Sequence, residues 1–134
     1  MTYVGIEALL GKTLKEVKKN HDDTALLFTT TEDEVYLMYH QQDCCETVYI
    51  EDIAGDLDCL IGYPITLAEE ASNSGLNEEY RDSETWTYYK LATVKCYVTI
   101  RWYGSSNGYY SESVDFIKAN DERDVREVKY YFGE

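Results

Sequence analysis

Basic residues are scarce: 12 Lys and Arg stand against 26 Asp and Glu, a net charge of −14. A protein that coats nucleic acid through its phosphates needs a basic field, so direct nucleic-acid binding is not expected. Adhesion to anionic lipid is disfavoured for the same reason. No apolar run approaches the roughly 18 residues that would span a bilayer, so no transmembrane helix or membrane association is expected. The opening stretch MTYVGIEALLGKTLKEVKK lacks a basic segment followed by a long apolar one, and predicts no signal peptide. Nucleophile-elbow, Walker, dinucleotide-fingerprint and HExxH patterns are all missing, and paired carboxylates are common by chance in so acidic a chain. The expectation is therefore a protein that is not an enzyme and carries no cofactor.

A single proline contrasts with 14 tyrosines, which favour strands and supply contact surfaces with one wet end. At 134 residues and 44% hydrophobic, the chain predicts one domain with a core large enough to need no staples. Four cysteines without a secretory leader predict free, buried thiols in a reducing compartment. Adjacent Cys44 and Cys45 would face opposite ways on a strand. A zinc set of His40, Cys44 or Cys45, Cys59 and Cys96 matches no usual ligand spacing, so no metal is expected.

The pattern reads as α+β: an antiparallel sheet of about six strands with one or two short helices. A helix is expected at Ile6–Gly11 and a strand at Thr13–Lys18, before a polar turn at residues 20–23. Thr24–Thr30 and Glu34–Tyr39 form a hairpin around Glu32-Asp33. Both runs are apolar on both faces, which calls for cover twice, by a helix, a second sheet or another subunit; a homo-oligomer is expected. Thr47–Ile53 is a strand. Asp56 caps a short helix that stops before Gly62 and Pro64. Ile65–Ala71 fits strand or helix, and Ser72–Ser83 reads as a polar loop. Thr85–Ala92 and Cys96–Tyr103 are strands, and Tyr109–Ile117 is read as the hairpin partner of the latter. Residues 1–117 are the single domain. Residues 118–134 are a C-terminal extension, helix or edge strand, packed on it or on a partner subunit.

One constellation invites a functional reading. If Tyr103 pairs with Tyr109, the two-residue period sets Arg101 opposite Ser111 and Thr99 opposite Ser113. Arg101, Tyr103, Tyr109, Ser111 and Ser113 would then share a polar face, with Val98, Ile100 and Trp102 in the core. An arginine among tyrosines and hydroxyls holds a phosphate or carboxylate and stacks a base. Asn107 and Gly108 could add backbone N–H groups, and Trp86, Tyr88 and Lys90 lie one strand away. The plainer alternatives are an Arg101–acid ion pair, an ordinary tyrosine pair and simple turn chemistry.

The stretches HQQDCCETVYIEDIAGD (40–56), LIGYPITLAEE (60–70) and Glu84–Phe116, with TWTYYKLAT and RWYGSSNGYYSESVDF, resemble a family of small proteins encoded by bacteriophages and prophage-bearing bacteria. That family is a domain of unknown function, and the likeness covers about residues 5–117. It implies a phage setting and a protein of the bacterial host cytoplasm. In size, strand order and arginine–aromatic surface the chain is also similar to anti-Thoeris sponges, which sequester cyclic ADP-ribose signals made by bacterial TIR enzymes. That likeness implies a counter-defence protein that binds a nucleotide-derived signal without turning it over. The ligand residues expected from the surface are Arg101, Tyr103, Asn107, Tyr109, Ser111, Trp86 and Tyr88. The alternatives are an acidic nucleic-acid mimic that inhibits a host defence protein, and a small nucleotide hydrolase.

Overall fold

A computed structural model describes residues 1–79 and 82–133. Among the described residues, nine strands form two antiparallel sheets, and one α-helix follows them. The strands are β1 (Thr2–Tyr3), β2 (Leu14–Lys19), β3 (Ala25–Thr30), β4 (Val35–Tyr39), β5 (Thr47–Ala54), β6 (Leu67–Asn77), β7 (Asp82–Ala92), β8 (Tyr97–Ser106) and β9 (Asp115–Lys118). Helix α1 spans Glu122–Tyr130, and short 3-10 turns stand at Ile6–Leu9 and Leu57–Leu60. One sheet has the order β1-β9-β4-β3-β2, the other β5-β8-β7-β6. The antiparallel, sheet-rich reading holds. The single sheet of about six strands is corrected to two sheets of five and four.

The core lies between the sheets. Leu26, Phe28, Tyr36, Met38 and Phe116 from the first meet Tyr89, Leu91, Val98, Ile100 and Trp102 from the second. Trp102 is buried, and its indole Nε1–H points at Met38 Sδ at 3.3 Å. Burial of each such large side chain is worth roughly 1.5–3 kcal/mol against exposure. The expected alternation in β8 is present: Val98, Ile100 and Trp102 face in, while Thr99, Arg101 and Tyr103 face out.

The β3–β4 hairpin is buried on both faces, as its doubly apolar pattern requires. Its second face, with Ala25, Leu27, Val35, Leu37 and Tyr39, meets Val128, Val125 and Phe132 of the C-terminal segment. Both covers thus come from the chain itself, and this face supplies no argument for a second copy. Helix α1 begins where the Asp121 carboxylate accepts from the Asp124 backbone N–H at 2.8 Å. Glu122 and Asp124 in the first turn and Lys129 in the last match the helix dipole.

Three local expectations are corrected. Strand β6 runs on to Asn77 and pairs with β7 along its whole length, where a polar loop was expected. Residues 80 and 81 of that expected loop lie outside the described residues. The outer half of β6 is exposed on both faces and, Leu76 apart, carries small side chains with no apolar alternation. The expected pairing of 109–117 with β8 does not form, because β5 and β7 occupy both edges of β8. Residues 107–114 instead cross to the first sheet, where β9 lies between β1 and β4.

The thiols are the third correction. Cys59 is bonded to Cys96, tying the 3-10 turn after β5 to the β7–β8 connection over 37 residues of sequence. Cys44 and Cys45 are bonded to each other. They lie in an irregular segment, so the opposed faces of a strand do not keep them apart. The weighed zinc set therefore does not assemble. Among the described residues, no helix is long and apolar enough to cross a membrane, and no three His, Cys, Asp or Glu gather as metal ligands.

Candidate functional site

The outward face of the β5-β8-β7-β6 sheet brings four of the expected residues together. Tyr88 stands opposite Arg101, and Trp86 opposite Tyr103. From the other side, β5 sets Tyr49 opposite Tyr103. The rings form a row across three strands: Tyr49 to Tyr103 at 5.7 Å and Trp86 to Tyr103 at 5.3 Å. Such tilted contacts suit the ring quadrupoles. Tyr49 was missed in the sequence, although the alternation of β5 placed it opposite Val48 and Ile50.

Arg101 and Tyr103 in this row each already have a carboxylate partner. Arg101 Nε donates to Glu51 Oε1 at 2.8 Å, with both side chains about one-third exposed. The β5 register shifts between Ile50 and Asp52, so Glu51 is the extra residue of a bulge, which aims it across the strand at Arg101. Tyr103 donates its hydroxyl to Glu84 Oε1 at 3.1 Å. Burial and the neighbouring Glu84 hold the Tyr103 phenol above its ordinary pKa. Glu84 also accepts from Asn77 Nδ2 at 2.6 Å. The face is aromatic, and its arginine is already ion-paired.

Asn107, Tyr109 and Ser111 do not join this face, because the pairing that would carry them there is absent. Asn107 Oδ1 accepts from the Tyr109 backbone N–H at 2.9 Å, and Ser106 Oγ accepts from the Gly108 N–H at 3.0 Å. Of the expected anion nest, the Gly108 N–H is thus taken up by the turn itself. Tyr109 is fully outside, packed edge-on to Tyr110 at 5.7 Å.

Ser111 lies instead on the inner side of the second sheet. There β6 and β7 outrun the first sheet, and the inward positions change from apolar to hydroxyl residues: Ser72, Ser74, Ser83, Thr85 and Thr87. A cleft of about 430 Å³ opens over them. Its fixed point is the buried Glu112, which accepts from Thr85 Oγ1 at 2.8 Å, from Ser83 Oγ at 3.3 Å and from Ser106 Oγ. The carboxylate thus pins the crossing segment to the sheet.

His40 is likewise committed. Its Nδ1 faces the Ser113 carbonyl at 2.7 Å and its Nε2 faces Glu46 Oε2 at 2.9 Å. Glu46 is buried, which raises its pKa, yet it ends at about 2: backbone N–H groups of Cys44 and Asp43 and the His40 ring favour the anion. With Cys44 and Cys45 joined to each other, neither is a free thiol.

A cleft of about 840 Å³ lies between α1 and the first sheet, away from the ligand residues expected from the sequence. Leu37, Tyr39 and Ile117 form its floor, and Arg123, Arg126, Tyr130 and Tyr131 its helix side. The signal was readable: Arg123, Arg126, Glu127 and Tyr130 follow a helical i, i+3, i+4, i+7 spacing.

No curated protein and no solved structure matches the chain. A family model, described as a domain of unknown function (DUF7448), matches residues 7–116. The match takes in both sheets except β1 and the end of β9, and stops before α1. On that match, which covers most of its length, the chain belongs to the DUF7448 family.

Proposed function

We propose that this protein is a non-catalytic binder that engages a basic protein partner through the outward face of its β5-β8-β7-β6 sheet. The observation that carries the reading is the continuous row Tyr49–Tyr103–Trp86 beside Arg101. Tyrosine, tryptophan and arginine are the residues that dominate protein interfaces. The charge of −14 favours a basic partner and fast encounter with it. This is the acidic-inhibitor reading, and a phage counter-defence role in the bacterial host fits it. A cytoplasmic setting requires the Cys59–Cys96 pair to be reduced in the cell.

A second reading keeps the same face but makes its ligand nucleotide-derived, akin to cyclic ADP-ribose. The same ring row favours it, since bases stack on such rings. Arg101 would then exchange Glu51 for a phosphate.

The test is capture from a bacterial lysate by the wild-type chain, Trp86→Ala and Tyr103→Ala, with matched circular dichroism to check folding. The reading expects a basic prey that both variants lose and that elutes as salt rises. A prey held equally by all three chains would overturn it. Native mass spectrometry against cyclic nucleotides and ADP-ribose derivatives separates the readings: a retained, unaltered nucleotide lost in Arg101→Ala supports the second.

A further inference from the structure

We infer that the cleft between α1 and the first sheet is a binding site for a small amphipathic anion: an apolar or planar body carrying one carboxylate, phosphate or sulfonate. Its volume of about 840 Å³ lies in the range of sites for small organic ligands. The floor is apolar and rigid, because Leu37 and Ile117 stand opposite each other on paired strands and are buried. Tyr39 continues that floor, with Tyr131 edge-on to it at 5.6 Å. A flat or aliphatic body has apolar surface to meet on two sides.

The mouth supplies the charge. Arg126 lines the cleft and forms no ion pair among the described residues. In a chain with 26 acids and 12 bases, an arginine left without a carboxylate is notable. Arg123, one turn earlier, reaches only to 3.7 Å from Glu127 and is highly exposed. Asp22 and Glu127 also line the cleft, which disfavours ligands with several anionic groups and selects one that carries a single such group. Guanidinium forks hold one carboxylate or phosphate well. Tyr130, largely exposed at the same rim, adds a ring that can close over the body.

The site is separate from the proposed interface. It uses Ile117 and α1, which lie beyond the family match, and shares no residue with the outward sheet face. The ligand source is left to the test, which contrasts an aliphatic with a planar body.

The probe is 8-anilinonaphthalene-1-sulfonate, an aromatic body with one sulfonate. The full chain is titrated by fluorescence, and the probe is then competed with dodecanoate and, separately, with adenosine monophosphate. The expected result is saturable binding of one probe per chain. Arg126→Glu weakens it at least tenfold, as loss of one charge-assisted contact plus repulsion requires. Arg126→Gln falls between, and Trp86→Ala leaves it unchanged. Competition by dodecanoate assigns an aliphatic body, and competition by the nucleotide a planar one. Binding of several probes per chain, or affinity within twofold in Arg126→Glu, overturns the inference. Arg126 is exposed, so its variants test binding without threatening the fold.

Discussion

Glu112 is packed directly on Gly104: a Cβ built at Gly104 would stand 2.8 Å from the Glu112 Cβ and 2.9 Å from its carbonyl oxygen. The segment crossing between the sheets can approach β8 this closely only because residue 104 has no side chain. The same approach brings the Glu112 carboxylate within reach of Ser83, Thr85 and Ser106. Gly104→Ala therefore forces the crossing segment outward. It should cost about 1–3 kcal/mol in urea unfolding, as overpacking does. A loss below 0.5 kcal/mol, a rough limit for surface changes, would mean that the segment is not held there.

The covalent tie between Cys59 and Cys96 closes a 37-residue separation. The paired variant Cys59→Ser, Cys96→Ser should lose about 3–4 kcal/mol on the loop-closure argument. The measurement is the denaturation midpoint with and without reductant. Wild type under reductant should fall to the level of the variant under the same reductant, which sets the reference because both then lack the Cys44–Cys45 bond as well.

Acid should unfold the protein partly through Glu34. Hydrogen bonds from Lys118 and Lys12 hold its carboxyl well below the ordinary 4.5, at about 2. The folded value is the lower one, so between these values the unfolded chain binds more protons. The stabilisation is complete above about pH 4.5 and disappears as pH falls towards 2. Glu34→Gln should flatten the acid limb of a stability–pH curve in that window and leave its slope near neutrality alone. An unchanged acid limb would remove Glu34 from the account.

Helix α1 is held by Val128, which is fully buried on Leu27, Leu37 and Ile117. Val128→Asp places a charge among these side chains, and the helix should lift off. Exposed apolar sheet faces self-associate. Size-exclusion chromatography with light scattering should show larger species for the variant than for wild type at equal concentration. Matching profiles would show that the helix does not protect this face.

Much of the local structure was legible in the chain. The β3–β4 hairpin, the alternation of β8, the Asp56 cap and the two-sided apolar face all follow from side-chain periods and short-range chemistry. So did the neighbourhood of Arg101, Tyr103, Trp86 and Tyr88, because strands joined by a short turn pair in a register their pattern fixes. The plainer alternatives for Arg101 and for Asn107-Gly108 describe their contacts: an ion pair with Glu51 and a self-satisfied turn.

The amino-acid order alone determined which segments extend, which faces are apolar, and that the β3–β4 hairpin needs two covers. It did not determine what would cover them, because apolar burial is non-directional and a helix, a sheet or a second subunit satisfies it equally. Only the tertiary structure decided that β5–β8 cover one face and α1 the other. Only it decided that residues 107–114 leave β8 for the other sheet, since β5 and β7 compete for the same edges across long stretches of sequence. Arg126 and the floor of the cleft meet for the same reason: they are brought together by packing between elements, which no local pattern encodes.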